Sequence, residues 1–204
     1  YHVEVRSGGE VYFALSLGGT RKITETSTTL TAGQWHHIAC VYNGSTIKIY
    51  IDGVEESSTN ATGSISTYST SLYIGAYSGP SSGISSFDGL IDEVRIWSDE
   101  RTASEISANK SIELNGNESN LVGYYKFNET DTNTVASNSA SATGDSYDGA
   151  LTNMTGTEWT TSTAFPDSTA PTISSVTANW GDFLTEVEDD VNGTVTVVTS
   201  GAED

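Results

Sequence analysis

The residues best placed to do chemistry lie in one apolar run, Phe87–Trp97 (FDGLIDEVRIW). Asp92 and Glu93 sit at its centre. Strict alternation puts Leu90, Val94 and Ile96 on one face and Ile91 and Trp97 on the other, which marks a central strand covered on both sides. An acid directed into such a strand needs a partner, because burying an unpaired charge is costly. Neighbouring strand residues point to opposite faces, so Asp92 and Glu93 cannot flank one bond as a hydrolytic carboxylate pair. The same geometry keeps His36 and His37 from chelating one metal, and both read as hydrogen-bonded structural groups. Cys40 lies in an apolar strand and reads as a small core residue. As the single cysteine it rules out a disulfide framework or cysteine-based metal site within the chain. No G-x-S-x-G nucleophile elbow and no EF-hand loop is present.

A chain of 204 residues at 35% hydrophobic suffices for one sizeable core and part of a second. The 27 acidic and 8 basic residues give a formal charge of −19. That balance repels nucleic acid and anionic membrane surfaces, and it suits divalent cations. Charged residues make up only 17% of the chain, so the surface is largely Ser, Thr, Asn and Gly, as is common in extracellular β-rich proteins. No stretch approaches the ~18 apolar residues of a membrane span. The chain starts in mid-strand without a Met, so a segment upstream of Tyr1 is expected and compartment cannot be judged from a leader.

Tyr1–Leu17 reads as two strands joined at Ser7–Glu10, and Arg21–Leu30 as a Thr-rich strand on a solvated face. Thr31–Val54 predicts a meander. Its strands are Trp35–Tyr42 and a run in which Ile47, Ile49 and Ile51 face inward. Its turns are Asn43-Gly44, a pair favoured where both residues need φ > 0, and Asp52-Gly53. Ser71–Ala76 predicts a strand with Leu72 and Ile74 inward, and Ser78–Ser86 a long flexible loop. Thr102-Ala-Ser-Glu105 is a capping box opening a short helix, Ala103–Asn109. Leu121–Asn128 predicts a strand with Tyr125 and Phe127 on one face. Two short closing strands, near Gly149 and Trp159, come after a low-complexity loop over residues 130–147. Thr163–Pro171, with two prolines, reads as a linker.

Together these motifs resemble a family. Gly33-Gln-Trp-His-His-Ile-Ala, Ile49-Tyr-Ile-Asp-Gly53, Leu72-Tyr-Ile-Gly75, Phe87–Trp97 and Arg101–Ile106, in that order, resemble the laminin G-like, concanavalin A-like jelly roll. Leu121–Asn128 and Asp148–Leu151 look like the segment that flanks such domains in large bacterial surface proteins. The family's opening strands are missing before Tyr1, so either the jelly roll is incomplete or residues 121–165 supply part of it. The fold expected is an all-β antiparallel sandwich, with one short helix and a partial second β-domain. The jelly roll is placed at residues 1–166 and a linker at 167–171. Residues 172–204 resemble the start of a bacterial immunoglobulin-like adhesin repeat.

The resemblance carries functional expectations. Related jelly rolls hold calcium at the sandwich rim, which makes Asp92, with Asp88 nearby, a candidate site; otherwise Asp92 caps a neighbouring loop. Tandem adhesin repeats are stiffened by calcium at their junctions. Asp167 with Asp189 and Asp190 is a candidate of that kind, the alternative being a solvated acidic loop. The fold also hosts glucanases, whose Glu-x-Asp-x-x-Glu strand signature is absent, so no catalytic residue is assigned. Tyr68 and Tyr77, on rim loops, could offer stacking faces to a ligand; otherwise they cover the sheet. The reading that results is a non-catalytic, calcium-assisted module of a secreted or surface-anchored protein. It would bind a glycan or cell-surface protein beside neighbouring domains of its own chain, without nucleic acid or membrane insertion. A structural spacer in a repeat array, or an accessory domain of a secreted carbohydrate-active enzyme, are the alternatives.

Overall fold

The computed structural model describes residues 1–79, 83–129, 135–140, 147–151, 159–161, 171–173 and 194–200. It shows antiparallel sheets with one short helix. A three-stranded sheet is formed by β1 (His2–Val5), β2 (Glu10–Leu17) and β3 (Thr20–Thr29) in sequence order. It packs on a larger sheet containing β4 (Trp35–Tyr42), β5 (Thr46–Ile51) and β6 (Val54–Asn60). The period-2 pattern dictates the seam. Val11, Phe13, Leu15 and Leu17 of β2 meet Ile38, Cys40 and Tyr42 of β4 and Ile47, Ile49 and Ile51 of β5, all buried in one cluster. The Cys40 thiol is thus a core group, its pKa pushed far up by burial.

The meander's turns differ from each other. Asp52 (φ 52°) and Gly53 (φ 87°) both take the left-handed conformation, as a tight two-residue hairpin requires. At the first turn only Gly44 does (φ 86°). The Asn43 carboxamide oxygen there accepts four bonds, from the N–H and hydroxyl of Ser45 and of Thr46, at 2.8–3.0 Å. The turn expected from the Asn-Gly pair is therefore replaced by a side-chain-built one.

Beyond the meander, β7 (Ala76–Gly79) and β8 (Gly83–Ser86) form a hairpin where a flexible loop was expected. The strand expected from Ser71 begins only at Ala76; Leu72 and Ile74 are half-buried against the core as a non-strand segment. Helix α1 (Ala103–Asn109) opens with the expected capping box. Thr102 N–H donates to Glu105 Oε2 at 2.8 Å and Glu105 N–H to Thr102 Oγ1 at 3.3 Å. The helix places Ile106 against Ala39, Val41 and Tyr50 on the outer face of the large sheet.

The central strand is β9 (Ile91–Trp97), buried at every position. It carries a bulge at Glu93, whose φ is 55°. The bulge overturns the face assignment from alternation: Ile91, Val94 and Ile96 share one cluster, and Trp97 joins another. One extra residue shifts the side-chain phase by one step. Strand β10 (Leu121–Tyr125) pairs with β9, Tyr124 opposite Arg95. It ends sooner than expected, with Phe127 at φ 53°, yet Tyr125 and Phe127 stay stacked at 6.3 Å.

Short strands β11 (Val135–Ala136) and β12 (Gly149–Ala150) pair with each other, and β13 (Trp159–Thr161) pairs with β14 (Pro171–Ile173). β14 touches β9 at the Ile173–Ile91 pair. The last strand, β15 (Thr194–Ser200), lies between β9 and β4 and is antiparallel to both. None of the described helices is long and apolar enough to cross a membrane.

Candidate functional site

Two groupings of polar side chains stand out, one buried and one open. The buried one answers the partner question raised by the central strand. Glu93 Oε2 accepts from Arg95 Nη2 at 2.5 Å and from the Tyr124 hydroxyl at 2.6 Å. Arg95 Nη1 donates to the Asn109 carbonyl at 2.8 Å, and Nη2 also to the Ile112 carbonyl. The Tyr124 hydroxyl accepts the Leu114 N–H at 2.9 Å. All three side chains are buried. Helix α1 has no basic residue in its last turn, so the guanidinium reaching from β9 is the cation that satisfies its terminal carbonyl. Burial raises the Glu93 carboxyl pKa, opposed by Arg95 and the Tyr124 hydrogen bond. Burial likewise drives the Tyr124 hydroxyl far up, with Glu93 adding to it. Arg95 Nε has no hydrogen-bond partner among the described residues; the other bonds join the helix, the following loop and β10 to the central strand.

Asp92 is also buried, and its Oδ1 accepts the Glu93 N–H at 2.9 Å, a bond that holds the bulge. Asp88 is exposed. Among the described residues no group of three or more His, Cys, Asp or Glu is arranged to hold a metal ion. Asp88 and Asp92 would need carbonyl and water oxygens to complete a calcium shell of six to eight ligands. Asp167, Asp189 and Asp190 lie outside the described residues. The adjacent histidines of β4 separate as alternation requires. His36 Nε2 accepts the Thr31 N–H at 3.1 Å, which leaves Nδ1 to donate to Asp52 Oδ2 at 2.8 Å. His37 turns to the outer face, buried, and its Nδ1 has no hydrogen-bond partner among the described residues.

The open grouping is the outer face of the small sheet. With Phe13 and Leu15 turned to the core, alternation sends Tyr12, Ala14 and Ser16 outward. Register brings Glu4 and Glu25 beside Tyr12, His2 and Ile23 beside Ala14, and Arg21 beside Ser16. The Arg6 guanidinium lies 4.5 Å from the Tyr12 ring centroid and that of Arg21 5.5 Å, with the His2 ring edge-on at 5.7 Å. Arg6 is paired with Glu25 at 3.0 Å. Arg21 contacts His2 Nδ1 at 3.4 Å instead. Burial, then the Arg21 charge, lowers the His2 pKa to about 4, so the imidazole is neutral near pH 7. Three of the four arginines, Arg6, Arg95 and Arg101, have carboxylate partners; among the described residues no carboxylate is paired with Arg21.

Tyr68 adjoins this face. Its hydroxyl is 3.0 Å from Ser16 Oγ, which also donates to Ser66 Oγ at 3.2 Å. Ser66 N–H donates to the Ser16 carbonyl at 2.8 Å, and the Leu17–Ile65 bridge fixes the loop there. Tyr68 remains 48% exposed. Ser16 is also the register partner of Arg21, so the Arg21 backbone lies beside the Ser16–Tyr68 contact while its guanidinium reaches along the same face to Tyr12 and His2. Tyr77 pairs with Ser85 in the β7–β8 hairpin, and its ring lies outside the described side chains. The sequence singled out Tyr68 but not His2, Tyr12 or Arg21. Alternation in Glu10–Leu17 would have set Tyr12 and Ser16 on one face, whereas Arg21 joins them only through pairing register.

An antiparallel sandwich of these sheets, with a polar outer face and a loop tyrosine beside it, defines a lectin-like jelly roll. The chain belongs to the concanavalin A-like lectin/glucanases superfamily, whose family model matches residues 1–107. That span runs from β1 to within α1 and includes the whole small sheet, the meander and the central strand. No curated protein and no solved structure gives a match.

Proposed function

We propose that this domain is a non-catalytic binding module for a glycan or cell-surface protein, acting outside the cell and docking through Arg21 and Tyr68. The observation that carries this reading is that both residues adjoin Ser16 on one face, Arg21 by strand register and Tyr68 by its hydroxyl. A sugar ring stacks on an exposed aromatic face, while hydroxyls and a guanidinium fix its orientation. The buried carboxylates support the same reading: Glu93 is engaged by Arg95 and Tyr124, and Asp92 by backbone. A glycan array probed with the parent chain and with Y68A and R21A tests it. Each variant is expected to lose about tenfold or more in binding to the glycans the parent retains, with melting unchanged, since each contact contributes on the order of 1–2 kcal/mol. A parent that binds no glycan or cell-surface protein favours the spacer reading, and variants that bind like the parent move the site off this face.

Calcium ordering of the rim loops is part of the proposal. Thermal unfolding in calcium against chelator, at fixed ionic strength, is expected to show a Tm higher by several degrees, because a ligand of the native state adds RT ln(1 + [L]/Kd). Coincident melts would remove the ion from the mechanism.

A further inference from the structure

The large sheet contains a slot that only a strand can fill. β5 takes one edge of β4 over Ile38–Tyr42. β10 takes one edge of β9 over Val94–Trp97, and β14 meets that strand at Ile91. The remaining edges of β4 and β9 face each other across the position of β15. Because β15 is antiparallel to both, β4 and β9 run parallel, one strand apart, about 9–10 Å. With β15 in place every described residue of β9 is buried, and so is β4 from His37 onward, so each edge relies on this strand for its N–H and C=O partners. A helix or a loop cannot serve both ladders at once.

The occupant pairs along its whole length with β4, from Thr194–Val41 to Ser200–Trp35. It pairs with β9 from Thr194–Trp97 to Thr199–Ile91, missing step only at the Glu93 bulge. Its sequence, TVTVVTS, is rich in β-branched residues and uncharged, as an inserted central strand requires. It is also remote, since the matched family span ends at residue 107. Its fit in the slot is through ladders that any copy of the same segment would reproduce.

We propose that the β4–β9 slot is a strand-acceptor site, and that Thr194–Ser200 of a second copy of this chain can take the place of the chain's own segment. Association would then proceed by strand exchange between like chains, each donating the same strand to the same slot in its partner.

The test opens the slot with V195P/V197P, which removes two N–H groups and imposes a fixed φ on the ladder. A labelled synthetic peptide of residues 192–202 is the probe, with a scrambled peptide as control. The variant is expected to melt at least about 10 °C lower than the parent, to bind the peptide, and to regain the parent's melt when it does. Should the variant fail to fold alone, refolding with the peptide is expected to restore cooperative unfolding. A variant that melts like the parent, or a peptide that neither binds nor restores it, overturns the acceptor site and leaves the tail to a separate repeat. For the second-copy occupant, the parent refolded at rising concentration is expected to give a dimer that excess peptide suppresses and V195P/V197P does not form. A parent that refolds only as monomer overturns the exchange.

Discussion

Arg95→Ala is expected to destabilise the domain by about 3–5 kcal/mol, the cost of stripping the partner from a buried charge. Arg95 and Glu93 are 1% and 3% exposed at the side chain, so neither recruits water when the other is lost. The substitution also frees the Asn109 and Ile112 carbonyls at the end of α1. Stability of a domain is about 5–15 kcal/mol, so the loss removes a large share of it. Urea unfolding at pH 7 measures the effect as a fall in midpoint. The double variant E93L/R95M is the informative companion. Replacing a buried pair by apolar groups of similar size is often near neutral, so much of the single variant's loss should return. If Arg95→Ala costs under about 1 kcal/mol, the pair does not hold the helix, loop and β10 to the central strand.

Stability is also expected to fall as pH drops from about 6.5 towards 3, with His37 the largest single contributor. Burial, then the nearby Arg95 charge, lowers the His37 pKa to about 3, with Lys110 acting the same way and Asp52 opposing. The unfolded chain therefore takes up this proton near pH 6.5 while the native state resists it until about pH 3. A depressed pKa gives stability that is present above the unfolded value and lost as pH falls through the window. The full difference corresponds to about 4–5 kcal/mol. His2, lowered to about 4, acts with the same sign. Glu93 acts oppositely: its raised pKa favours the native state below the usual carboxylate range, and that contribution is lost as pH rises through the folded value. Comparing parent with H37L isolates the histidine, because the other groups are common to both. The difference between their unfolding free energies should grow in favour of H37L as pH falls from 6.5 towards 3. A constant difference would mean that His37 is protonated in the folded domain.

Sequence alone determined what depends on neighbours along the chain. The Thr102–Glu105 box specified the start of the helix because both reciprocal bonds span three residues. The alternation of Ile47, Ile49 and Ile51 fixed the core face of its strand, and Asp52-Gly53 fixed the following turn, since both signals are local. The order of motifs carried the jelly-roll class. Tertiary structure decided whatever depends on pairing. Nothing in FDGLIDEVRIW announces the bulge at Glu93. That bulge brings Ile91, Val94 and Ile96 together, and Glu93 and Arg95 meet beside it as an ion pair. Register across two strands, and a loop laid on Ser16, bring Arg21 and Tyr68 to the same neighbour from positions 47 residues apart. The slot for Thr194–Ser200 arises only once β5 and β10 have taken the other edges of β4 and β9. Local propensity shapes each strand, but which edges remain unsatisfied is a property of the assembled sheet.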